Sequence, residues 1–273
     1  MTTERCGTAT LDRRHHLQLP ETEASGVGAL CFLGLGTIGS VAHLLNDVNF
    51  RKALSYAFDY DGFITNILSG SVARNPGPLP NNIWGAPKDL EGYTYDLEKA
   101  KEYLAKVKQP IREITIGALA GYGQTEQAAA LLQNGLNKIG VKTKIVAEPW
   151  PVASGKMRDE QQMYDLLWLW KSTYYADPNN WVGEMYDGDK VGSRNNSWYK
   201  NPMVDQLLHE AQTSTSQDTR RANYEKAATM VAQDAAGIFV YNTKWFGPYN
   251  AKVRGVRFCP IGNAQEMRWV YFE

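Results

Sequence analysis

The 273-residue sequence has few cysteines, no net charge and no clear export signal. Its three cysteines, Cys6, Cys31 and Cys259, form no Cys-x-x-Cys pair and no Cys/His ligand spacing, so we expect neither a zinc site nor a disulfide framework. Lysine and arginine together number 29, and so do aspartate and glutamate. Because a nucleic-acid-binding domain usually carries a basic face, we expect no nucleic-acid partner.

The first 45 residues also lack the pattern of an export signal or a membrane span. Residues 25–46 contain no charged side chain, but glycine and serine dilute this run, and the acids Glu21 and Glu23 stand beside it where a signal peptide carries positive charge. A membrane-spanning helix needs about 20 predominantly apolar residues. We leave residues 1–45 unassigned and expect only a peripheral relation to a membrane.

Between residues 46 and 245, helical patterns alternate with apolar strand patterns. Asp47 and Asp96 are good N-caps for two helices, and Gly140 is placed to end a third. The alternation predicts an α/β fold with a mixed sheet flanked by helices. We expect strands at residues 114–116, 141–146, 166–170 and 238–241, a loop at 70–92, a helix at 125–138, and two later helices with stripes that begin at Val204 and Tyr224.

Gly34, Gly36 and Gly39 match the Gly-x-Gly-x-x-Gly fingerprint of dinucleotide-binding folds, and the apolar run 29–33 precedes them. In that fold an acid about 20 residues later, at the end of a second strand, binds the ribose. Here a capped helix occupies that region, with Asp59 near its end. A nucleotide-dependent oxidoreductase is therefore an alternative function, and a glycine-rich strand and turn is the simpler interpretation.

No catalytic motif stands elsewhere in the sequence. It contains no Gly-x-Ser-x-Gly, no His-Glu-x-x-His and no phosphate-binding loop. The four histidines have no partner at a spacing typical of acid–base catalysis. We therefore predict that the chain is not an enzyme and uses no cofactor and no metal.

The stretch from Trp168 to Trp181 is the strongest candidate for a functional site. A buried strand leads into an aromatic loop, and in α/β sheets the loops after the carboxyl ends of strands line ligand crevices. Aromatic side chains can hold a ligand while a few polar groups orient it. The predicted ligand-binding residues are Trp168, Trp170, Ser172, Tyr174, Tyr175, Asp177 and Asn180. The structural alternative is that Asp177 caps a helix that begins at Pro178 and that the aromatic side chains belong to the core.

Four stretches, in order along the chain, carry a resemblance to one protein family. They are residues 47–61 (DVNFRKALSYAFDYD), 95–104 (YDLEKAKEYL), 131–143 (LLQNGLNKIGVKT) and 175–180 (YADPNN), and residues 253–256 (VRGV) add to them. Together they resemble the family 5 extracellular solute-binding proteins of peptide-, opine- and nickel-type ABC importers. The resemblance covers residues 46–273.

This resemblance implies a periplasmic protein that captures a peptide or a related small solute and delivers it to the permease subunits of an ABC transporter. Members of the family have two lobes that close on the ligand, as in the type II periplasmic binding proteins. The resemblance places residues 46–245 in the second lobe and residues 246–273 in a segment that returns to the first lobe. Most of the first lobe is then missing from this truncated chain, and strands near Val253 and Trp269 would expose sheet edges.

The resemblance also bears on the solute. In peptide-binding relatives, an aspartate three positions before the Asp-Pro pair binds the peptide amino terminus, and this sequence has Tyr174 there. The tryptophan that usually precedes it is displaced by about one residue, to position 170 or 171. Without the carboxylate, a charge-assisted bond to an ammonium group is lost, which favours a capped peptide, an opine or an oligosaccharide. A third hypothesis is that the chain binds nothing and is a structural remnant.

Overall fold

The computed structural model describes residues 27–33, 43–244, 250, 252–256 and 267–273. Its α-helices are α1 (His43–Asn46), α2 (Val48–Tyr56), α3 (Tyr60–Gly62), α4 (Leu97–Leu104), α5 (Gly123–Lys138), α6 (Trp150–Lys156), α7 (Val182–Met185), α8 (Pro202–Thr213) and α9 (Gln217–Gln233). Its strands are β1 (Val27–Leu33), β2 (Val72–Arg74), β3 (Ile114–Leu119), β4 (Thr143–Glu148), β5 (Leu166–Ser172), β6 (Gly237–Thr243), β7 (Val253–Arg254) and β8 (Tyr271–Phe272). A π-helical turn (Phe63–Ile67) follows α3, and a 3₁₀ turn (Pro178–Asn180) precedes α7.

Six of these strands form one mixed sheet in the order β2-β6-β1-β5-β3-β4. Strand β3 pairs in parallel with β4 and β5, whereas β1 is antiparallel to both of its neighbours, β5 and β6. Strand β2 is antiparallel to β6. The carboxyl ends of β3, β4, β5 and β6 therefore lie along one edge of the sheet. The predicted α/β class with a mixed sheet is confirmed.

Strand β1 lies in the middle of this sheet, although it comes from the first 45 residues, for which the sequence analysis predicted no structure. Its register runs from Val27 opposite Ser172 to Leu33 opposite Leu166. The three glycines of the nucleotide fingerprint follow β1 and lie outside the described residues. In dinucleotide-binding folds the fingerprint strand belongs to a parallel unit. Because β1 is antiparallel to both neighbours, the fingerprint lacks the structural context that a nucleotide site requires.

The predicted helix boundaries follow from caps that the structure contains. The Asp47 carboxylate accepts a hydrogen bond from the Asn49 amide at 2.8 Å, and the Asp96 carboxylate accepts one from the Lys99 amide at 2.9 Å. Gly140 has a φ of +83°, which costs glycine little and other residues more, so α5 ends there. The sequence missed strand β2, which lies inside the expected loop at 70–92 because its three residues are too short to show a pattern.

A β-bulge in β6 decides which side chains face each side of the sheet. Ala29 of β1 pairs with Tyr241, but the next residue, Leu30, pairs with Phe239, so Val240 is the extra residue. Phe239 and Tyr241 consequently point to opposite faces, although they are two positions apart. Nothing in the alternation of the sequence indicates this inversion.

The guanidinium of Arg74 holds the bulge in place. It donates to the carbonyl oxygens of Phe239 at 2.7 Å and Val240 at 2.9 Å, and to that of Tyr93 at 3.0 Å. It also lies 4.1 Å from the ring centroid of Tyr60, where a cation is favoured. Burial lowers the pKa of Arg74, and the carbonyl acceptors compensate part of the lost hydration of its charge.

The core lies on both faces of the sheet. On one face Trp168 packs against Phe58 and Phe63, with ring centroids 5.0 and 6.4 Å away. On the other face Phe239 packs against Tyr186, which ends α7. The layers of helix, sheet and helix position the loops at the carboxyl ends of the strands. Within the described ranges, no helix is long and apolar enough to cross a bilayer, and no three side chains of the metal-binding types are grouped together.

The C-terminal residues form a second, two-stranded sheet. Val253 of β7 pairs with Phe272 of β8, and Arg254 pairs with Tyr271. Tyr271 is 59% exposed and Phe272 is 76% exposed. The strands are shorter than the segments expected near positions 253 and 269, and residues 257–266 lie outside the described part of the chain. The expectation of uncovered strand edges in this segment stays a prediction, because the exposure of these side chains does not report on the backbone groups of the strand edges.

Candidate functional site at the carboxyl edge of the sheet

Large aromatic side chains gather where β3, β4 and β5 end. Tyr122 follows β3, Trp150 follows β4, and Trp170 and Tyr174 lie at the end of β5 and just after it. Tyr122, Trp150 and Tyr174 are 53%, 47% and 60% exposed. We call these four residues the aromatic edge. Exposed rings at the carboxyl ends of parallel strands, next to polar groups, are typical of a ligand crevice in an α/β sheet.

Trp170 is the member of the aromatic edge that a side-chain hydrogen bond holds in place. Its indole N–H donates to the hydroxyl oxygen of Tyr241 at 2.9 Å, and that hydroxyl donates to Gln124 Oε1 at 3.3 Å. The Tyr122 ring lies 5.6 Å from the Trp170 ring. Burial raises the pKa of Tyr241, and the Trp170 donor offsets part of the rise. The hydroxyl therefore stays neutral at physiological pH and holds Trp170 in one orientation.

Trp168 does not lie at this edge. It is 3% exposed and faces the core between Phe58 and Phe63. Its indole nitrogen has no hydrogen-bond acceptor within the described residues. For Trp168 the structural interpretation of the aromatic stretch applies, and the side chain supports the sheet beneath the edge.

The Asp177 carboxylate is occupied by two partners within the protein. Its carboxylate caps the turn Pro178–Asn180 by accepting from the Asn179 amide at 3.0 Å, and its other oxygen forms an ion pair with Arg220 at 2.7 Å. The Asp177 carboxylate raises the pKa of Arg220 through this bond. The guanidinium lies over the Trp84 ring at 5.0 Å. Asp177 therefore fixes the loop after β5, as the structural alternative predicted.

Ser172 is the last residue of β5, and Tyr175 and Asn180 belong to the loop and turn that follow it. The Asn180 amide donates to the Ser172 carbonyl at 3.1 Å and is fully buried, and the Tyr175 hydroxyl accepts from Asn179 at 2.8 Å. Burial raises the pKa of Tyr175. The Asn180 side-chain oxygen has no donor among the described residues. Tyr175 is 38% exposed and can contact a ligand, whereas Asn180 lies beneath the loop.

Tyr174 is the most exposed member of the predicted set, and its ring covers a buried cation. Lys171 Nζ lies 4.8 Å from the Tyr174 ring centroid, and Lys171 is 7% exposed. Burial lowers the pKa of Lys171 to about 8, with Glu184 acting against this shift and Arg194 adding to it. A lysine with a lowered pKa at the end of a strand is a functional-site candidate.

Beside the aromatic edge, the acid that ends β4 is neutralised by its neighbours. Glu148 forms an ion pair with Lys156 at 2.7 Å and accepts a hydrogen bond from the Tyr164 hydroxyl. The Lys156 ammonium and the Tyr164 hydroxyl lower the pKa of Glu148. This carboxylate already has its cation, so it offers little attraction to a positively charged ligand.

Sequence reasoning missed Tyr122, Trp150, Gln124 and Tyr241. The first two stand directly after strands β3 and β4, so the rule that selected the loop after β5 could have found them. Gln124 and Tyr241 gave no such signal, because their contact with Trp170 depends on the packing of three distant segments. Of the seven predicted residues, the structure brings Trp170, Tyr174 and Tyr175 to the exposed edge and places Trp168 and Asn180 beneath it.

A mixed sheet between two layers of helices, with loops at the carboxyl ends of its parallel strands, is the fold of one lobe of a periplasmic-type binding protein. The model of the family described as bacterial extracellular solute-binding proteins, family 5 Middle, matches residues 9–193. The chain belongs to this family. The resemblance noted in the sequence is thereby confirmed, and the match begins well before residue 46.

Curated relatives agree with this assignment. The chain is 31% identical over 220 residues to the probable D,D-dipeptide-binding periplasmic protein DdpA of Escherichia coli, and the match covers 80% of the chain and 42% of the relative. It is 29% identical over 222 residues to heme-binding protein A of Haemophilus influenzae, covering 80% of the chain and 40% of that relative. The chain thus spans about two fifths of the length of these relatives.

Solved structures share the fold over nearly the whole chain. The periplasmic binding protein DppA of Helicobacter pylori, in complex with the peptide STSA, matches with a TM-score of 0.81 and 24% identity, covering 93% of this chain and 48% of that one. The dipeptide-binding protein of a Pseudoalteromonas species, in complex with Met-Leu, matches with a TM-score of 0.78 and 20% identity, covering 96% and 51%. At these identities the likeness establishes the fold.

Proposed function

We propose that the chain is a solute-binding component of an ABC importer and that it captures a peptide or a related small solute at the aromatic edge. The observation that carries the proposal is the placement of exposed Tyr122, Trp150 and Tyr174 after the carboxyl ends of three neighbouring strands, with Tyr122 against the fixed ring of Trp170. Binding proteins of this kind need apolar surface to hold a solute, and a few polar groups to orient it.

The relatives support solute capture and leave the solute class open. Those named above are described as binding a D,D-dipeptide, heme or a dipeptide, although they share the fold. The exposed rings of the edge suit the body of any such solute. The expectation that a free amino terminus is not the main anchor fits the exposed Tyr174 and the neutralised Glu148, because neither offers a free carboxylate. A capped peptide, an opine and an oligosaccharide are therefore the alternatives within this function.

The partners and the location follow from the same proposal. The family is described as extracellular, and DdpA is described as periplasmic. A binding component acts outside the cytoplasmic membrane and hands its solute to the permease subunits of the transporter. Residues 46–245 constitute the solute-binding lobe in this proposal, together with strand β1, and residues 246–273 form a segment that packs against a further lobe.

A thermal melt with ligand panels tests this function. The purified chain is melted alone and with short peptides, N-acetylated peptides and oligosaccharides. A ligand at 100 times its dissociation constant adds about 2.7 kcal/mol to the free energy of unfolding. We expect one class to raise the Tm, and Tyr122→Ala to weaken that effect while Tyr271→Ala, which removes an exposed ring of β8, does not. A cooperative melt that no panel shifts contradicts the proposal and favours the structural remnant.

The oxidoreductase alternative has its own test. Titration with NADH is followed by energy transfer from the eight tryptophans to the dinucleotide. Because β1 runs antiparallel to its neighbours, we expect no saturable transfer. Saturable transfer that Gly36→Val abolishes would support the nucleotide site instead.

A further inference from the structure

Two buried polar side chains lie on the same face of the sheet with a glycine between them. Gly28 of β1 pairs with Lys171 of β5 on one side and with Asn242 of β6 on the other. Directly paired residues on neighbouring strands point to the same face of a sheet. Asn242 pairs in turn with Ala73 of β2. The row across four strands therefore reads Ala73, Asn242, Gly28 and Lys171, with small residues next to each polar one.

Lys171 carries a charge to which the described residues offer no hydrogen-bond acceptor. It is 7% exposed, and among the described residues its ammonium forms no ion pair and donates no hydrogen bond, although it lies 4.8 Å from the centroid of the Tyr174 ring. Arg51, which is buried to a similar degree, donates to three backbone carbonyls, those of Asp234, Leu45 and Asn46. A buried cation is costly unless it is paired and hydrogen-bonded. The described residues thus satisfy Arg51, whereas Lys171 Nζ, which is not among the fully buried atoms without a partner, keeps its donors for solvent or a ligand.

Asn242 is in the same condition. It is 5% exposed, and neither the nitrogen nor the oxygen of its side-chain amide has a hydrogen-bond partner in the described part of the chain. Such a group destabilises the fold when it stays unsatisfied. Two polar side chains without a hydrogen-bond partner among the described residues therefore lie on one face, on either side of a glycine, where a polar group of a ligand can reach both.

The position is next to the aromatic edge. Lys171 lies between Trp170 and Ser172 on β5, and its ammonium is covered by Tyr174, which is 60% exposed. Trp170 and Lys171 point to opposite faces because side chains alternate along a strand. A solute held by the aromatic edge can therefore place a terminal group around the end of β5, beneath Tyr174.

We propose that Lys171 and Asn242 bind a carboxylate of the solute, which makes the solute class a carboxylate-bearing one. This inference rests on the proposed solute-binding function. A carboxylate accepts several hydrogen bonds and carries one negative charge, which matches one ammonium and one amide N–H donor. A phosphate would bring nearly two charges to one cation, close to the acid Glu184, which already pairs with Lys190 and Arg194.

Acetate and end-blocked peptides test this site. Acetate is the simplest carboxylate, and chloride at the same ionic strength is its control in a thermal melt. The tripeptide N-acetyl-Ala-Ala-Ala, with its carboxylate free, is compared with its C-terminal amide by isothermal titration calorimetry. We expect acetate to raise the Tm more than chloride does, and the free acid to bind at least ten-fold more tightly than the amide.

Lys171→Met and Asn242→Ala supply the variants. Each removes a polar group that has no hydrogen-bond partner among the described residues, so both variants are expected to fold, and Lys171→Met is expected to be more stable than the parent. Lys171→Met should abolish the preference for the acid and the effect of acetate, and Asn242→Ala should reduce the preference several-fold. Lys106→Met removes the same charge from an exposed ion pair with Glu102 and should change neither.

The outcomes separate this site from the general function. Peptides that bind without any preference for the free carboxylate, or a preference that survives in Lys171→Met, overturn the carboxylate site and leave solute binding intact. An acetate effect that depends on Lys171, without binding of any peptide, supports the site and counts against peptides as the solute. No response to acetate, to any peptide or to any oligosaccharide overturns both.

Discussion

Trp170 and Tyr241 are joined by a hydrogen bond of 2.9 Å that reaches across strand β1, from β5 to β6. The bond exists because the bulge at Val240 turns Tyr241 to the face that Trp170 occupies. It fixes an indole ring at the aromatic edge before any solute arrives. A fixed ring loses little conformational freedom on binding, which favours affinity.

Tyr241→Phe should destabilise the protein by about 1–2 kcal/mol, because the Trp170 indole N–H loses its acceptor and Gln124 loses a donor. Urea denaturation measures the change. Tyr271→Phe removes a hydroxyl from an exposed ring and should leave the free energy of unfolding within about 0.5 kcal/mol. Equal effects of the two variants would contradict the role of the bond.

Arg74→Met should destabilise the protein by about 3 kcal/mol or more. The change leaves the carbonyl oxygens of Phe239 and Val240 without their donor and removes the hydrogen bonds that hold the bulge. Arg158→Met, at an exposed position, is the control for loss of one positive charge. Chemical denaturation of both variants checks the prediction, and a small effect of Arg74→Met would show that water replaces the guanidinium.

Gly135→Ala should be strongly destabilising. A Cβ at this position would stand 1.9 Å from the carbonyl oxygen of Ala57, so α5 would have to move away from the end of α2. We expect a loss of about 3 kcal/mol or more, from overpacking in the core. Gly155→Ala in α6 meets nothing within 4 Å and should stabilise the protein by about 0.5–1 kcal/mol. Thermal melts of the two variants should show a lower Tm for Gly135→Ala and a higher Tm for Gly155→Ala than for the parent.

The stability of the parent relative to Lys171→Met should depend on pH. Burial lowers the pKa of Lys171 from 10.5 to about 8, with Glu184 and Arg194 as the charged groups that act on it. Between these two pH values the unfolded chain binds the proton and the folded chain does not, so the parent gains stability relative to the variant as pH rises. Across this pH range the parent should gain on the order of 3 kcal/mol in free energy of unfolding relative to the variant.

Urea denaturation of the parent and of Lys171→Met, at pH 7.5 and at pH 10, measures this dependence. Other groups titrate in the same range, and they cancel in the difference between the two proteins. A difference that stays constant with pH would show that Lys171 keeps an ordinary pKa. A carboxylate ligand should stabilise the parent more at pH 7.5 than at pH 10, because it favours the protonated ammonium.

The sequence by itself determined the elements whose signals are local. Asp47, Asp96 and Asp177 act as N-caps and Gly140 ends a helix because the geometry of a helix end depends on a few adjacent residues. Periodicity located β3, β5 and helix α5, and ordered motifs indicated the family. These features need no knowledge of the distant parts of the chain.

Only the tertiary structure decided how those elements form a site. Strand β1 lies at the centre of the sheet, and the bulge at Val240 makes Phe239 and Tyr241 of β6 point to opposite faces. Pairing of Gly28 with Lys171 and with Asn242 places these two side chains on one face. The same packing buried Trp168, exposed Tyr122 and Tyr174, and tied Trp170 to Tyr241. Strand order and register join residues that are more than 70 positions apart, and burial follows from that pairing, so no local pattern in the sequence could have fixed them.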